Sequence, residues 1–410
     1  EAVYREAIRI QPECAESFAN LGALLRDRGR FLQAEDCFLN ALRLNPAHVS
    51  AYNNYGIMLC ELDRLEEAET AYRNAVRIRP GFSDAWSNLA LLLLKEGRFE
   101  EGWRMHEFRH HPERLERIVV MPDLPFPLWQ GEDLTGKALL VLQEQGVGEC
   151  ILYAGMLPEV LHRGAARVVL ACDARLVPLF ERSFPALEFA GVGVEHLEDL
   201  SALPCDWFVL MGSMGRWLRP DRDSFPGLVS YLTADAGKVG RLRNRYRRPE
   251  GGLLVGIAWH SANPRFGAKK STSLMELRPL LELPGCTFVD LQYGDTRAER
   301  EAFSRETGIG ILHDDAIDQM TDLDSFAAQV AAMDCVVTIS NTTAHMAGAL
   351  GVPTLLLLWR GPLWYWAADR EDCLWYPSVR IFRAQAEKGL DMDAIVSYLA
   401  DLLIVREGRT

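Results

Sequence analysis

The first hundred residues carry an apolar pattern that recurs every 34 positions. Large apolar residues four and seven positions apart mark one face of a helix, and glycine or alanine stands where two backbones must approach closely. A proline then ends each second helix, at Pro12, Pro46 and Pro80. The period therefore predicts stacked helix pairs over residues 1–110. The recurring positions are Phe18, Leu21, Gly22, Leu25, Ala34, Phe38, Ala41 and Pro46, repeated as Tyr52, Tyr55, Gly56, Leu59, Ala68, Tyr72, Ala75 and Pro80.

From about residue 138 the pattern changes to short apolar runs that alternate with helical segments. Ala138–Leu142 and Arg167–Ala171 are predicted strands on either side of a helix over 150–163. A strand, a helix and a strand in this order favour a parallel sheet. Further strands are predicted at Leu187–Ala190 and Trp207–Leu210.

An Arg- and Gly-rich stretch at 237–252 is predicted to be a linker between this αβ half and a second one. The second half has predicted strands at Leu253–Ala258, Thr287–Leu291, Cys335–Ile339 and Thr354–Leu358, and helices at Leu274–Leu281, Asp324–Ala332 and Ala344–Leu350. The predicted fold class is thus α followed by α/β. Its parts are helical repeats at 1–110, a connector at 111–137, an αβ half at 138–236, the linker at 237–252 and an αβ half at 253–410.

The net charge and the cysteine pattern argue against several classes of protein. Lys and Arg number 44 against 57 Asp and Glu, a formal charge of -13, which argues against a general nucleic-acid binder because such proteins need a basic face. The nine cysteines form no CxxC pair, which favours a reducing, cytoplasmic location. No apolar run approaches the roughly 18 residues of a membrane span, and no metal-ligand spacing such as HExxH occurs, so neither a membrane span nor a metal is expected.

The most informative segment reads ISNTTAHMAGALGVPTLLLL, at residues 339–358. A predicted strand delivers Ser340–Thr343 directly to a helix N-terminus, where free N–H groups and the helix dipole favour a phosphate. Thr342 and Thr343 add hydroxyl donors, and His345 lies in the first turn. The alternative is a Ser or Asn helix cap without a ligand.

The 34-residue period resembles the tetratricopeptide repeat, over residues 1–110. That resemblance implies a superhelix whose concave face binds an extended polypeptide. The residues expected in this groove are Phe18, Asn20, Tyr52, Asn54 and Trp86. The alternative is a dimerisation or spacer module.

The segment 339–358 resembles the donor site of GT-B glycosyltransferases of the bacterial heptosyltransferase type, and also the Thr-Thr turn of the O-linked N-acetylglucosamine transferases, which themselves carry tetratricopeptide repeats. The loop QEQGVGE at 143–149 is similar to the Gly-x-Gly-Asp turn of the same enzymes, and residues 369–383 resemble repeat-bearing bacterial protein glycosyltransferases. The resemblance covers about 138–405. It implies two Rossmann-like domains of GT-B type, the first facing the acceptor and the second holding the donor, without a metal or other cofactor.

The resemblance also implies roles for individual residues. The Gly-x-Gly turn supplies Gly146 and Gly148, and the loop after the first strand of the second half supplies a phosphate-binding lysine. Further donor contacts are expected from a second set of residues: Asn263, Lys269, Lys270, Ser271, Gln292, Tyr293, Asn341, Thr342, Thr343 and His345. For the two lysines the alternative is a solvated loop, and for Gln292 and Tyr293 it is packing.

The expected catalytic base is Glu149, at the position where the heptosyltransferases have Asp. The alternative role is a charge that favours the helix dipole. A second departure is Asn341, where those enzymes also have Asp.

The resemblance implies transfer of a sugar from a nucleotide-sugar to a hydroxyl, with inversion and without a metal. A protein acceptor bound by the repeats, such as flagellin or another bacterial surface protein, is the first choice. A glycan or lipid-linked acceptor is the alternative within this class. A scaffold whose transferase fold is degenerate is the alternative from another class.

Overall fold

In the computed structural model the described residues are 1–110, 123–191, 200–249, 251–261, 267–359, 363–367, 370–385 and 389–407. The chain forms two compact units. The first contains the N-terminal helices together with residues 219–222 and a 3₁₀ turn at Trp364–Trp366. The second contains both sheets and the helices between their strands.

The helical unit is built from seven helices within residues 1–110. They are α1 (Ala2–Ile10), α2 (Ala15–Asp27), α3 (Phe31–Leu44), α4 (Val49–Glu61), α5 (Leu65–Ile78), α6 (Ser83–Lys95) and α7 (Phe99–His106). Successive helices pack as pairs, as the 34-residue period predicts.

Small residues allow these pairs to pack closely. A Cβ on Gly56 of α4 would lie 2.6 Å from Cε1 of Tyr72 on α5, and one on Gly22 of α2 would lie 2.9 Å from Cδ1 of Phe38 on α3. Both distances are shorter than any normal carbon contact. The aromatic rings therefore occupy the space that a side chain at either glycine would need.

The first αβ half has a four-stranded parallel sheet of order β3-β2-β1-β4. Its elements are β1 (Ala138–Leu142), α8 (Val147–Ala154), α9 (Leu157–His162), β2 (Arg167–Cys172), α10 (Val177–Ser183), β3 (Glu188–Gly191), β4 (Trp207–Leu210) and α11 (Gly215–Leu218). The prediction of one helix over 150–163 is wrong, because α8 begins earlier and a break at Gly155 and Met156 separates it from α9. Gly155 lies under the ring of Tyr231, and its absent side chain makes room for that ring.

The second αβ half has a five-stranded parallel sheet of order β6-β5-β7-β8-β9. Its elements are α12 (Ala236–Tyr246), β5 (Leu253–Ala258), α13 (Gly267–Lys270), α14 (Arg278–Leu281), β6 (Cys286–Asp290), α15 (Arg297–Thr307), α16 (Leu323–Ala331), β7 (Cys335–Ile339), α17 (Thr342–Ala349), β8 (Thr354–Leu358), β9 (Val379–Arg383) and α18 (Met392–Glu407). All residues of β5, β7 and β8 are buried, as expected for a parallel sheet covered on both faces.

In this half the predicted linker contains a helix, and one helix prediction is wrong. Residues 237–252 are mostly helical, because Asp235 caps α12 by accepting a hydrogen bond from Lys238 N (2.7 Å) and Tyr246 at the other end is buried. The helix predicted at Leu274–Leu281 contains only Arg278–Leu281. Pro279 has no N–H to donate to the carbonyl four residues earlier, so the helix cannot extend back over that turn.

The fold class predicted from the sequence, helical repeats followed by two Rossmann-like α/β parts, is confirmed. No helix in the described part of the chain is both long and apolar enough to span a membrane.

Candidate functional site

The Gly-rich turn after β1 becomes the start of α8. Gly146 is the N-cap and is exposed, so the helix N-terminus is open to solvent. Glu149 lies in the first turn, and a Cβ on Gly146 would lie 3.3 Å from its Oε2. The carboxylate of Glu149 therefore folds back over the N-terminus of α8, where the helix dipole stabilises a negative charge.

A second helix N-terminus follows β7. Asn341 caps α17, and its Oδ1 accepts hydrogen bonds from Ala344 N (3.2 Å) and Thr338 Oγ1 (3.1 Å). Two more polar atoms at this end, Asn341 Nδ2 and Thr343 Oγ1, are buried and have no hydrogen-bond partner among the described residues. Buried polar groups are normally paired, so these two atoms mark unused hydrogen-bonding capacity beside the helix dipole.

The helices α8 and α17 meet at Gly148. A Cβ there would lie 3.0 Å from Cδ2 and 3.7 Å from Nε2 of His345, and 3.7 Å from Thr342 Oγ1. His345 is buried, and its Nδ1 lies 3.0 Å from the hydroxyl of Tyr376. The structure thus brings together Gly148, Thr342 and His345, which the sequence placed in two different αβ halves.

Three ionisable side chains interact at this junction. Burial raises the pKa of Glu149, and the positive charge of Lys270 opposes that change. Burial lowers the pKa of Lys270, and Glu149 opposes that change in turn. Burial, assisted by repulsion from Lys270, lowers the pKa of His345 to about 3, so its imidazole is uncharged near neutral pH.

The loop after β5 is held in place by Ser271. Its hydroxyl donates to Gly267 O (2.7 Å) and accepts from Ser261 N (2.9 Å), so it has little capacity left for a donor molecule. Lys270, in α13, is half-buried and contributes the positive charge at the junction. Asn263 lies outside the described residues, and so does the side chain of Lys269.

Gln292 is buried. It lies just after β6 and contacts the chain at the end of the neighbouring strand β5. Its Oε1 accepts from Trp259 N (3.0 Å) and His260 N (2.7 Å), and its Nε2 donates to Tyr293 O (3.1 Å). The carboxamide is thus largely committed to backbone groups, which matches the packing alternative. Tyr293 is half-buried, and its contact with a nucleoside stays a prediction.

The predicted groove residues lie on the first helix of each pair. They are half-buried: Phe18 and Asn20 on α2, Tyr52 and Asn54 on α4, and Trp86 on α6.

The indole of Trp86 is partly occupied by intramolecular contacts. Phe108 stacks on it at 4.7 Å, with 12° between the ring planes, and its Nε1 donates to Pro80 O (2.8 Å). One face of the ring is therefore covered, so a polypeptide would have to use the other.

Sequence reasoning missed three residues around these sites. Asn88 repeats Asn20 and Asn54 at the same spacing and donates to Asn53 Oδ1 (2.9 Å), so the period itself was the signal. Glu144 is buried in the QEQGVGE loop and accepts from Gly212 N at 2.5 Å, which links the ends of β1 and β4. Tyr376 lies in the segment 369–383, and only the fold shows that it reaches His345.

No cluster of three or more His, Cys, Asp or Glu side chains suited to a metal ion occurs among the residues that the structure describes.

Comparison with known proteins supports both parts of the fold. Residues 19–82 and 61–102 match the family model for the tetratricopeptide repeat. The glycosyl transferase family 9 protein from Veillonella parvula has a similar structure, with a TM-score of 0.51 and 11% identity, over 67% of this chain and 99% of that one. At that identity the likeness shows the fold alone.

Protein FlbA from Caulobacter vibrioides is a relative in sequence. It is 33% identical over 294 residues, which is 69% of this chain and 49% of FlbA. The chain therefore matches about half the length of this curated relative.

Proposed function

We propose that the chain is a glycosyltransferase that moves a sugar from a nucleotide-sugar to a hydroxyl group of a polypeptide. The observation that carries this proposal is the meeting of α8 and α17, where Gly148 contacts His345 and the charges of Glu149 and Lys270 influence each other. The fold shared with a glycosyl transferase family 9 protein supports the same conclusion.

The donor phosphates would bind at the N-terminus of α17, within the half at 253–410. Asn341 Nδ2 and Thr343 Oγ1 are buried donors without partners in the described chain, and the helix dipole adds partial positive charge. The ammonium group of Lys270 supplies a full positive charge nearby. These groups together provide the charge compensation that a metal ion gives in other enzymes.

Glu149 would act as the base in a single displacement with inversion. The acceptor oxygen attacks the anomeric carbon, the bond from that carbon to the phosphate oxygen breaks, and the acceptor proton passes to the Glu149 carboxylate. The raised pKa of Glu149 makes that carboxylate a stronger base than an exposed glutamate. Because Glu149 lies in the first turn of α8, the half at 138–236 would face the acceptor.

The acceptor is proposed to be a polypeptide because the N-terminal helices match tetratricopeptide repeats. Bacterial surface proteins such as flagellin are our first candidates, and the modification would take place in the cytoplasm before export. A glycan or lipid-linked acceptor is the second candidate within this class.

The rival function is a scaffold whose transferase fold binds a nucleotide or nothing. Glu149 and Asn341, which stand where the heptosyltransferases have Asp, are the observations that favour it.

A ligand that binds only the folded state raises the stability of that state by RT ln(1+[L]/Kd).

The experiment is a thermal shift against UDP, GDP, ADP, CDP and CMP, followed by a transfer assay with the stabilising nucleotide's sugars. A shift with transfer to protein supports the proposal. A shift with neither transfer nor hydrolysis of the nucleotide-sugar favours the scaffold. No shift with any of the five nucleotides contradicts the donor site.

A further inference from the structure

Tyr376 has no role in the proposed function, although it lies in the segment 369–383 that carries part of the family resemblance. Its side chain is 1% exposed, and its ring packs against α17, where a Cβ on Gly348 would lie 2.5 Å from Tyr376 Cγ. This packing places its hydroxyl 3.0 Å from Nδ1 of His345. The packing of Tyr376 against Gly348 of α17 thus orients the tyrosine hydroxyl towards the imidazole of His345, which lies on the same helix.

Burial lowers the pKa of His345 to about 3, so near neutral pH only one of its two ring nitrogens carries a hydrogen. Which nitrogen this is depends on the hydrogen bond that the other nitrogen makes. A phenol oxygen shares its lone pair with the ring, which makes the hydroxyl a better donor than acceptor. The unprotonated nitrogen of a neutral imidazole is a good acceptor. The favoured arrangement therefore has Tyr376 donating to Nδ1, with the hydrogen of the imidazole on Nε2.

The Nε2 side of the ring faces the first turn of α8. A Cβ on Gly148 would lie 3.7 Å from this nitrogen, and the same point is 3.7 Å from Thr342 Oγ1. Both atoms border the Gly-rich turn, close to the N-terminus of α17. A hydrogen on Nε2 would therefore be presented where the proposed function places the phosphates of the donor.

A second tyrosine holds Tyr376 from the other side. The rings of Tyr231 and Tyr376 stack at 6.4 Å, with 23° between their planes. The hydroxyl of Tyr231 donates to Ile151 O of α8 (2.7 Å), and its backbone N–H donates to Ala349 O of α17 (3.0 Å). The residue that supports Tyr376 thus also connects the two helices that form the junction.

We propose that Tyr376 is a positioning residue that fixes His345 as the Nε2–H tautomer, so that the imidazole presents an uncharged hydrogen-bond donor to the departing nucleotide phosphate. The claim about the tautomer concerns the protein alone, whereas the claim that the imidazole contacts a phosphate rests on the proposed function. An uncharged donor strengthens its hydrogen bond as negative charge develops on the leaving oxygen, which is how such groups favour a transition state.

The first experiment measures the tautomer without a substrate, in full-length protein labelled with ¹⁵N-histidine. Long-range ¹H–¹⁵N correlations distinguish a protonated ring nitrogen from an unprotonated one, and His345→Gln assigns the signal. If that variant does not fold, His345 is assigned as the imidazole that stays neutral at pH 5. We expect Nε2–H in the wild type and a mixture of tautomers in Tyr376→Phe. An Nδ1–H tautomer in the wild type, or the same tautomer in Tyr376→Phe, would overturn the proposal.

The second experiment measures transfer by the same variants. Tyr376→Phe should lower kcat by about 10- to 100-fold, because a poorly oriented donor no longer meets the leaving oxygen. The KM for the nucleotide-sugar should change little. Tyr246→Phe is the matched control, since it removes another buried hydroxyl, which donates to Asp314 Oδ2 (2.7 Å) away from the junction, and it should keep wild-type kcat.

The two experiments separate the claims. An unchanged kcat in Tyr376→Phe, with the tautomer lost, refutes the link between the tautomer and the leaving group. Absence of transfer in the wild type, with the Nε2–H tautomer observed, contradicts the proposed function and leaves the Tyr376–His345 pairing supported.

Discussion

Gly148 on α8 lies against His345 on α17 so closely that a Cβ on the glycine would be 3.0 Å from Cδ2 of the imidazole. These residues come from different αβ halves and are separated by most of the second unit in sequence. Their contact fixes the distance between the Gly-rich turn and the N-terminus of α17. Any side chain at 148 therefore changes the geometry of the proposed site directly.

Gly148→Ala is expected to lower kcat/KM for transfer by about 10- to 100-fold, because the added methyl group displaces either α8 or the imidazole by a few tenths of an ångström or more. The measurement is steady-state transfer, with circular dichroism to show that the variant is folded. Gly310→Ala is the control, since no atom lies within 4 Å of its Cβ position. Wild-type kcat/KM in Gly148→Ala would show that α8 and α17 can move apart without loss of activity.

Glu149→Gln is expected to abolish transfer and to retain nucleotide binding, because the amide cannot accept the acceptor proton. In the wild type, transfer should fall as pH drops through the raised pKa of Glu149, at a higher pH than for an exposed glutamate. A pH–rate profile and a nucleotide titration measure both effects. Wild-type kcat in Glu149→Gln would exclude this residue as the base.

The same substitution has an expected effect on stability. A raised pKa means that the folded state favours the protonated carboxyl, so this stabilisation is complete below the unfolded pKa of about 4.3 and is lost as pH rises through the folded pKa. Glu149→Gln cannot ionise, so its Tm should exceed that of the wild type at pH 8, and the difference should vanish near pH 4. A lower Tm at pH 8 would contradict the burial of this carboxylate.

Lys270→Gln is expected to weaken nucleotide binding by about tenfold or more, a loss of ~1.4 kcal/mol or more, since it removes a full positive charge that acts on His345 of α17. Isothermal titration with the stabilising nucleotide measures the change in Kd. Lys137→Gln serves as the control because that lysine pairs with Asp206 at the start of β1 (3.3 Å), at the opposite end of the strand. Equal affinities in Lys270→Gln and the wild type would place the phosphates elsewhere.

Gly56→Ala is expected to destabilise the helical unit by about 1 to 3 kcal/mol, because its Cβ would lie 2.6 Å from the ring of Tyr72. Gly240→Ala, within α12, is the opposite case. Nothing lies within 4 Å of its Cβ position, and alanine should stabilise that helix by about 0.5 to 1 kcal/mol. Urea denaturation followed by circular dichroism measures both, and a Gly56→Ala variant as stable as the wild type would contradict the close packing.

Asn54→Ala is expected to raise the KM for a protein acceptor several-fold and to leave hydrolysis of the nucleotide-sugar unchanged. Asn40→Ala is the matched control on α3, where that side chain donates to Asp36 O (2.9 Å) within its own helix. An unchanged KM for the acceptor in Asn54→Ala would remove this residue from the proposed groove.

The sequence predicts most strands of the second unit because parallel strands buried on both faces are unbroken apolar runs. Trp207–Leu210, Leu253–Ala258, Cys335–Ile339 and Thr354–Leu358 have the predicted bounds. Helix bounds were less well predicted, since caps such as Asp235 and single prolines such as Pro279 decide them locally. The spacing in the sequence identified the turn glycines Gly146 and Gly148. It did not identify Tyr376 as the partner of His345. The contact of Tyr376 with it depends on the packing of residues 31 positions apart along the chain.

The helical unit is not made of consecutive residues, because residues 219–222 and the turn at Trp364–Trp366 belong to it. Within that unit Trp103 Nε1 donates to Arg219 O (2.8 Å), and the rings of Trp103 and Trp364 meet edge to face at 5.1 Å. The repeats therefore cannot be removed or exchanged as a simple cassette. A cut after residue 110 would deprive the segment 219–222 and the turn at Trp364–Trp366 of packing partners within their own unit, and a chimera would have to graft three segments together.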